Sequence, residues 1–466
     1  MHVSRWQSYH TVWTMLFLGW VVSYIDRALT GPVITWMKDH DASFLQGVTN
    51  PHAFGGLIGS LFFAGYMLTQ FPGGYFGDRY GHRNVVLISI FWAGVTTLCT
   101  GLVGGLIWFV ALRILTGLGE GAFYSNDRTL VAKVTPPEKL GFGMGLVITG
   151  LTTGLTIAFL VAPPLINWAV SFMKEEAWRM PFVIMSIPTF LVWAMMTRYL
   201  PAPATSQARI SVAVRGLLGY SAVFFAVIMA IYILATRSGW SETMTSLALA
   251  GLACLLVFYI FRRKKEEMRP VLMSRNLVLI YLSAIPVLWH LWLYGFWSVD
   301  IIKSSGSSFM AAALVASFNG LAGLIGFPLG GLLSDRALRR GGSRKGVLLT
   351  LTAIEGLTIF VFGGYLWLGH GDKIVMAILL FTSGLFFFAL QPVSHAFTAD
   401  LAPETHRGAA FGMWNLIAEI GALLSPVLSG VIRDATGHWW EAILLDSALM
   451  MLSCVLVFGI RPGPLH

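Results

Sequence analysis

An aspartate and an arginine stand side by side in "VVSYIDRALTGP", within a run that otherwise holds almost no charge. A second set, Arg113, Glu120 and Asp127, recurs at intervals of seven in "RILTGLGEGAFYSNDR". Seven residues is nearly two helical turns, so the three share one helix face, about 10 Å apart along the axis. Ionisable side chains in apolar helices are costly unless paired or hydrated, and they commonly mark ion, proton or substrate pathways. Trp20, Tyr24 and Arg27 form one stripe, being four and three residues apart, whereas Asp26 lies about 100° round the helix from Arg27. The partner of Asp26 is therefore expected on another helix, or is a proton. The competing reading is structural: Arg113 with Glu120, or Asp127 with Arg128, as ion pairs that only hold helices together.

Further candidates are spread along the chain. Tyr66 lies in a glycine-rich stretch, and Glu355 and Glu419 sit in apolar runs without an obvious basic partner in sequence. "LWHLWLYGFW" holds His290 among Trp289, Trp292, Tyr294 and Trp297. Such aromatics gather at membrane interfaces, so an anchoring belt is expected here, with His290 deeper. "QPVSHAF" adds Gln391, Ser394 and His395 beside Pro392, which frees a backbone carbonyl. Cys99, Cys254 and Cys454 lie far apart in apolar runs, with neither metal spacing nor a disulfide framework. No nucleotide loop or nucleophile constellation appears, so neither an enzyme nor a cofactor is expected.

The elements that must position these residues follow from composition. The 466 residues are 56% apolar and 11% charged, against about 25% charged in soluble domains. That composition indicates a polytopic membrane protein. The net charge of +9 then reflects loops that orient the spans and not a nucleic-acid partner. A helix needs about 20 apolar residues to cross the bilayer. Fourteen spans are predicted: 11–37, 53–77, 84–104, 107–134, 140–169, 179–200, 210–236, 243–262, 271–302, 308–333, 345–368, 373–398, 407–433 and 438–460. The first is read as a transmembrane helix and not a removed signal peptide. With the N-terminus inside, "GDRYGHR", "RRKKEEMRP" and "SDRALRRGGSRK" share one face, while loops poor in Arg and Lys share the other. Positive-inside orientation places both termini in the cytoplasm.

The chain also repeats. "GGYFGDRYGHR" (73–83) is echoed by "GGLLSDRALRRGGSRK" (330–345), and "PPEKLGFGM" by "APETHRGAAFGM". Spans one to six and nine to fourteen read as two related bundles, with seven and eight inserted. The domains expected are 1–200, a linker with two extra helices at 201–270, and 271–466. Repeated halves are a common build of secondary transporters, with the site near midplane between them. Glycines such as Gly55 and Gly59 suit close helix packing.

"GGYFGDRYGHR" resembles the signature of the major facilitator superfamily between its second and third spans, on Gly74, Asp78, Arg79, Gly81 and Arg83. "RILTGLGEG" resembles that superfamily's fourth-span motif. Within it, "SYIDRALTGP" and "GLGEGAFYSNDR" resemble the anion:cation symporter branch, which includes sugar-acid and sialin-like transporters. The resemblance implies an all-α major facilitator fold of two six-helix bundles, in the cell inner (plasma) membrane; the two inserted helices of the span count depart from that branch and are similar to the fourteen-span drug:proton antiporters. It implies a monomer carrying a small organic anion with protons. It makes Asp26 and Glu120 the proton carriers and Arg27 an anion contact, and it makes Asn415, after "FGMW", substrate-facing.

Tyr24, Tyr66, Arg113, His290, Gln391, Ser394 and His395 complete the expected substrate lining. The loop motif, with Asp127, Arg128, Asp335 and Arg336, is expected to form a cytoplasmic gate. Asp78 either accepts backbone N–H groups at a helix N-terminus or pairs with Arg128. Proton-coupled uptake is the expected function. Proton-driven export of drugs or metabolites is the alternative, favoured by the fourteen-span layout. It is disfavoured by the fifth span, where Ala162-Pro163 replaces the antiporters' Gly-Pro.

Overall fold

The computed structural model describes residues 6–40, 44–45, 48–136, 139–201, 210–263, 265–403 and 406–461. Every regular element among them is helical: α1 (Ser8–Asp39), α2 (Pro51–Tyr80), α3 (His82–Leu102), α4 (Leu106–Val134), α5 (Leu140–Met173) and α6 (Met180–Tyr199). Then come α7 (Ile210–Arg237), α8 (Glu242–Arg263) and the short α9 (Lys265–Leu272). The remaining helices are α10 (Arg275–Ser304), α11 (Phe309–Arg339), α12 (Arg344–Trp367), α13 (Lys373–Leu401), α14 (Arg407–Thr436) and α15 (Trp440–Phe458). Lipid offers no partners for backbone N–H and C=O groups, and continuous helices satisfy them internally. The expected linker lies, from Ala202 to Ala208 and Arg209, outside the described residues.

Thirteen stretches among the described residues are long and apolar enough to cross a membrane. One, Phe142–Tyr199, runs for 58 residues and holds both α5 and α6. The count of thirteen and the expected fourteen differ at this stretch. A 3-10 turn, Lys174–Arg179, separates the two helices, and Lys174 takes φ 53°, a left-handed conformation that ends α5.

The motif at 73–83 was expected to be a loop, and this is corrected. Helix α2 continues to Tyr80, the turn is Gly81 alone at φ 89°, and α3 begins at His82. Glycine takes that positive φ without steric penalty. The earlier glycines serve packing: a Cβ on Gly73 would press against the backbone of Ala122, and one on Gly77 would overlap Asn126 and His82.

Helices α1 to α6 pack among themselves, through α1–α5, α1–α6, α2–α4, α3–α4 and α3–α6. Helices α10 to α15 do likewise, through α10–α15, α10–α14, α11–α13, α12–α13 and α12–α15. The two sets meet along α2–α14, α5–α11 and α1–α10. Small residues make these seams close. A Cβ on Gly56 would enter the Pro426 carbonyl, one on Gly430 that of His52, and one on Gly31 that of Phe296. Across α5–α11, Gly320 and Gly323 face Thr156 and Thr152. Without a hydrophobic force between helices in lipid, backbone approach of this kind supplies the packing.

Helices α7 and α8 sit at the periphery against α2, α4 and α14, with under a third of their most apolar stretches buried. The aromatics of α10 do not form the expected interfacial belt. Trp289, Trp292, Tyr294 and Trp297 are all buried, because α10 packs between α14, α15 and α1 and leaves that face no lipid contact.

Candidate functional site

The Asp26-Arg27 pair joins α1 to α4 twice. Arg27 Nε lies 2.6 Å from Glu120 Oε2, and Ser23 Oγ donates to the same oxygen at 2.6 Å. Asp26 accepts from Arg113 Nη1 at 3.2 and 3.3 Å and from Thr97 Oγ1 of α3 at 2.7 Å. Both pairs are buried. The expected Arg113–Glu120 alternative does not occur, because two turns separate those residues and each pairs with α1. Glu120 Oε1 and Arg113 Nε and Nη2 have no hydrogen-bond partner in the structure. Buried polar atoms left unsatisfied cost about 1–3 kcal/mol each, so this network is tighter electrostatically than it is satisfied. Arg27 also lies 4.1 Å from the Tyr66 ring centroid and 4.7 Å from that of Tyr24.

Those two tyrosines line a narrow cavity of about 40 Å³ between the helix sets. Trp20 and Tyr124 continue its wall on one side, and Trp292, Gln391, His395, Trp414, Asn415 and Glu419 form the other. Tyr24 stacks on Trp292 across it, centroids 5.8 Å apart. Gln70 of α2 spans the gap: its Nε2 donates to Glu419 Oε1 at 3.2 Å and its Oε1 accepts from Asn415 Nδ2. Arg27 is thus one layer behind the cavity, screened by Tyr24 and Tyr66. Arg113, paired to Asp26, lies over the rings of Phe62 and Phe182.

Of the residues expected on the lining, the structure places Tyr24, Tyr66, Gln391, His395 and Asn415 there. Ser394 is buried beside them but off the lining. His290 is elsewhere: its ring bonds Asp446 of α15 and approaches Glu355 of α12, inside the second helix set. Helical phase explains this, since His290 and the cavity-lining Trp292 are two residues apart and face opposite sides of α10.

At the end bearing the basic turns, Asp127 accepts from Trp20 Nε1 at 2.6 Å, with Arg128 Nε 3.6 Å away. Arg128 lies over the rings of Trp20 and Tyr124, two cavity residues. Arg83 donates to the carbonyls of Thr197 and Leu200, tying α3 to the end of α6. Gly74 faces Ser125 of α4, and Arg79 lies against Tyr80. The side chain of Asp78 lies outside the described residues. In the echo motif, Asp335 is exposed at 4.0 Å from Arg344, which bonds Asp400 through Nη1 at 2.6 Å, and Arg336 is at the surface.

The opposite end carries a cluster that sequence reasoning missed. Lys38 Nζ lies 2.6 Å from Asp300 Oδ1, and His52 Nε2 lies 3.1 Å from Asp300 Oδ2. His52 Nδ1 also meets Asp434 at 2.5 Å, Trp439 donates to Asp300, and Lys303 pairs with Asp39 at 2.9 Å. These contacts join α1 and α2 to α10, α14 and α15. Each residue looks like ordinary loop-edge charge in sequence, so only assembly reveals the cluster. Asp446 and Gln70 were missed as well. An Asp within the apolar run "AILLDSALM" was the available signal for the first.

The chain matches the Major Facilitator Superfamily over residues 16–337 and 280–466, and it belongs to that family. It is a transport protein and not an enzyme. Among curated relatives, a probable galactarate/D-glucarate transporter of Bacillus subtilis (strain 168) is 26% identical, over 97% of this chain and 91% of that protein. A probable sulfoacetate transporter of Cupriavidus necator is 23% identical over 98% and 95%. Among solved structures, a D-xylose-proton symporter shares the fold, with a TM-score of 0.70 at 14% identity and 98% coverage of both chains.

Proposed function

We propose that this protein imports a small organic anion together with protons by alternating access. The observation that carries the reading is Arg27, a buried guanidinium behind two cavity tyrosines whose counterion is Glu120. Protonation of Glu120 frees Arg27 for a cargo carboxylate or sulfonate. Loss of the cargo restores the Arg27–Glu120 pair and expels the proton. Asp26, held by Arg113, is the second proton carrier. Relatives named as transporters of galactarate/D-glucarate and sulfoacetate support an anionic cargo. The cavity of about 40 Å³ has room for little more than water, so cargo entry requires its aromatic walls to part.

The helices make fourteen crossings, with α5 and α6 counted separately, arranged as bundles 1–200 and 271–466 around an inserted 201–270. Both termini face the cytoplasm of the inner (plasma) membrane, and the protein works as a monomer. The Lys38–Asp300–His52–Asp434 cluster then closes the outer side, while Trp20, Tyr124, Asp127 and Arg128 guard the cytoplasmic route with the 73–83 turn.

Proton-driven export is the second reading, and Glu419 on the cavity wall favours it, since a carboxylate suits a cationic cargo. Reconstituted liposomes separate the two. Import predicts lumenal acidification on adding an organic carboxylate or sulfonate without a preset gradient. Accumulation of cationic dyes driven by lumenal acid, with no response to anions, would reject it.

A further inference from the structure

Away from the cavity, ionisable side chains are sealed within α10, α12, α13 and α15. His290 Nδ1 lies 2.8 Å from Asp446 Oδ2, and Nε2 lies 3.3 Å from Glu355 Oε1. Ser383 of α13 donates to that Glu355 oxygen at 2.6 Å. The ring packs between Tyr294 and Phe387, centroids 4.7 and 4.5 Å away. His290 is 1% exposed, and Glu355 and Asp446 are 0%. The ionisable groups facing the ring are Tyr294 on its own helix, Glu355 on α12 and Asp446 on α15; α13 contributes the neutral Ser383.

Proton counting limits what this site can be. A neutral imidazole has one N–H and one bare nitrogen, and a bare nitrogen facing a carboxylate oxygen has no attractive contact. The Nδ1 contact is a hydrogen bond, whereas Nε2 approaches Glu355 without forming one; both approaches are attractive only with a proton in each, as imidazolium between carboxylates or as imidazole with one carboxyl protonated. Either arrangement carries one net negative charge, and an uncompensated charge in an apolar interior is expensive. One more proton on a free carboxyl oxygen makes the site neutral. Glu355 Oε2 and Asp446 Oδ1 are buried without a hydrogen-bond partner and are the places for it.

We propose that His290, Glu355 and Asp446 form a second proton-binding site, carried by the C-terminal helices and separate from the cargo cavity. It holds two protons beyond a neutral imidazole and two carboxylates, and it exchanges one of them during the transport cycle. Helix α10 links it to the cavity: Trp292, two residues from His290, stacks on Tyr24 in front of Arg27. Phe296, on the same helix, closes against Gly31 of α1. Movement of α10 between states therefore changes the packing around the ring. Occupancy of the site rests on its own geometry, whereas exchange rests on the proton-coupled reading above.

Infrared difference spectroscopy of the full chain in lipid bilayers tests occupancy. The wild type should show the C=O stretch of a buried protonated carboxyl that shifts with carbon-13-labelled Asp or Glu. Glu355→Gln or Asp446→Asn should remove the carboxyl band, and Glu120→Gln should leave it. A wild type with no such band apart from one lost in Glu120→Gln overturns the site without using a variant that could misfold. Reversal potentials in liposomes test exchange: Glu355→Gln should lower the proton-to-cargo ratio by one, and an unchanged ratio overturns it. If the wild type moves no protons with cargo, the transport reading and exchange both fail, while the infrared result still decides occupancy.

Discussion

Arg27 combines full burial, one close counterion and a ring of aromatic faces. Removing one member of a buried pair strands the other charge, at a cost of about 3–5 kcal/mol. Arg27→Ala should therefore lower the unfolding temperature as well as abolish anion binding. The double variant Arg27→Ala/Glu120→Gln should recover stability but not binding, as thermal unfolding and ligand-induced stabilisation will show. Equal stability of the single and double variants would deny the pairing. Glu120→Gln and Asp26→Asn each keep the hydrogen-bonding shape while removing the titrating group. Proton-driven uptake should fall at least 10-fold in both, with anion exchange across the bilayer retained; wild-type uptake in both would remove their role as carriers. Arg113 stays paired to Asp26 in the fold, so Arg113→Ala should resemble Asp26→Asn in uptake while being less stable.

Helices meet at seams whose closeness depends on missing side chains. Gly56 and Gly430 allow α2 and α14 to touch backbone to backbone beside the Lys38–Asp300–His52–Asp434 cluster. Leucine at Gly56 would occupy the space of the Pro426 carbonyl, so this closed seam cannot form. Gly56→Leu should favour the outward-open state, raising the labelling by external thiol reagents of a cysteine placed at Ser60, which otherwise bonds Leu423 O at 2.5 Å. Unchanged labelling would show that the seam does not govern closure. The peripheral α7 and α8 lack such seams and carry exposed apolar faces. Substitutions among their lipid-facing residues, such as Leu234→Ala, should change uptake less than twofold.

For the molecule as a whole, the proposed alternating access requires the Lys38–Asp300–His52–Asp434 cluster to break and the opposite end to close in turn. A reducible bifunctional thiol reagent spanning cysteines at Lys38 and Asp300, whose side-chain ends meet at 2.6 Å, should arrest the cycle. Uptake should stop on cross-linking and return on reduction, with cargo binding from the cytoplasmic side preserved in detergent; continued uptake by the cross-linked protein would refute closure at that end. What the sequence determined by itself was what depends on local composition. Runs of apolar residues specify membrane helices, and the doubled Gly-Gly-x-x-x-Asp-Arg motif marks two related sets. The spacing of Arg113, Glu120 and Asp127 also indicated one shared face, which the structure turns toward α1, because helical phase is a local property. The sequence did not show that "GGYFGDRYG" is helix up to its last glycine, since one residue of positive φ suffices for the turn. The tertiary structure alone decided who pairs with whom. Asp26 chose Arg113 and Arg27 chose Glu120 across α1 and α4, and His290 turned from the cavity to Asp446 and Glu355. Lys38, His52, Asp300 and Asp434 gathered from four helices. Such choices depend on distances between residues tens to hundreds of positions apart, which helical period and composition do not encode.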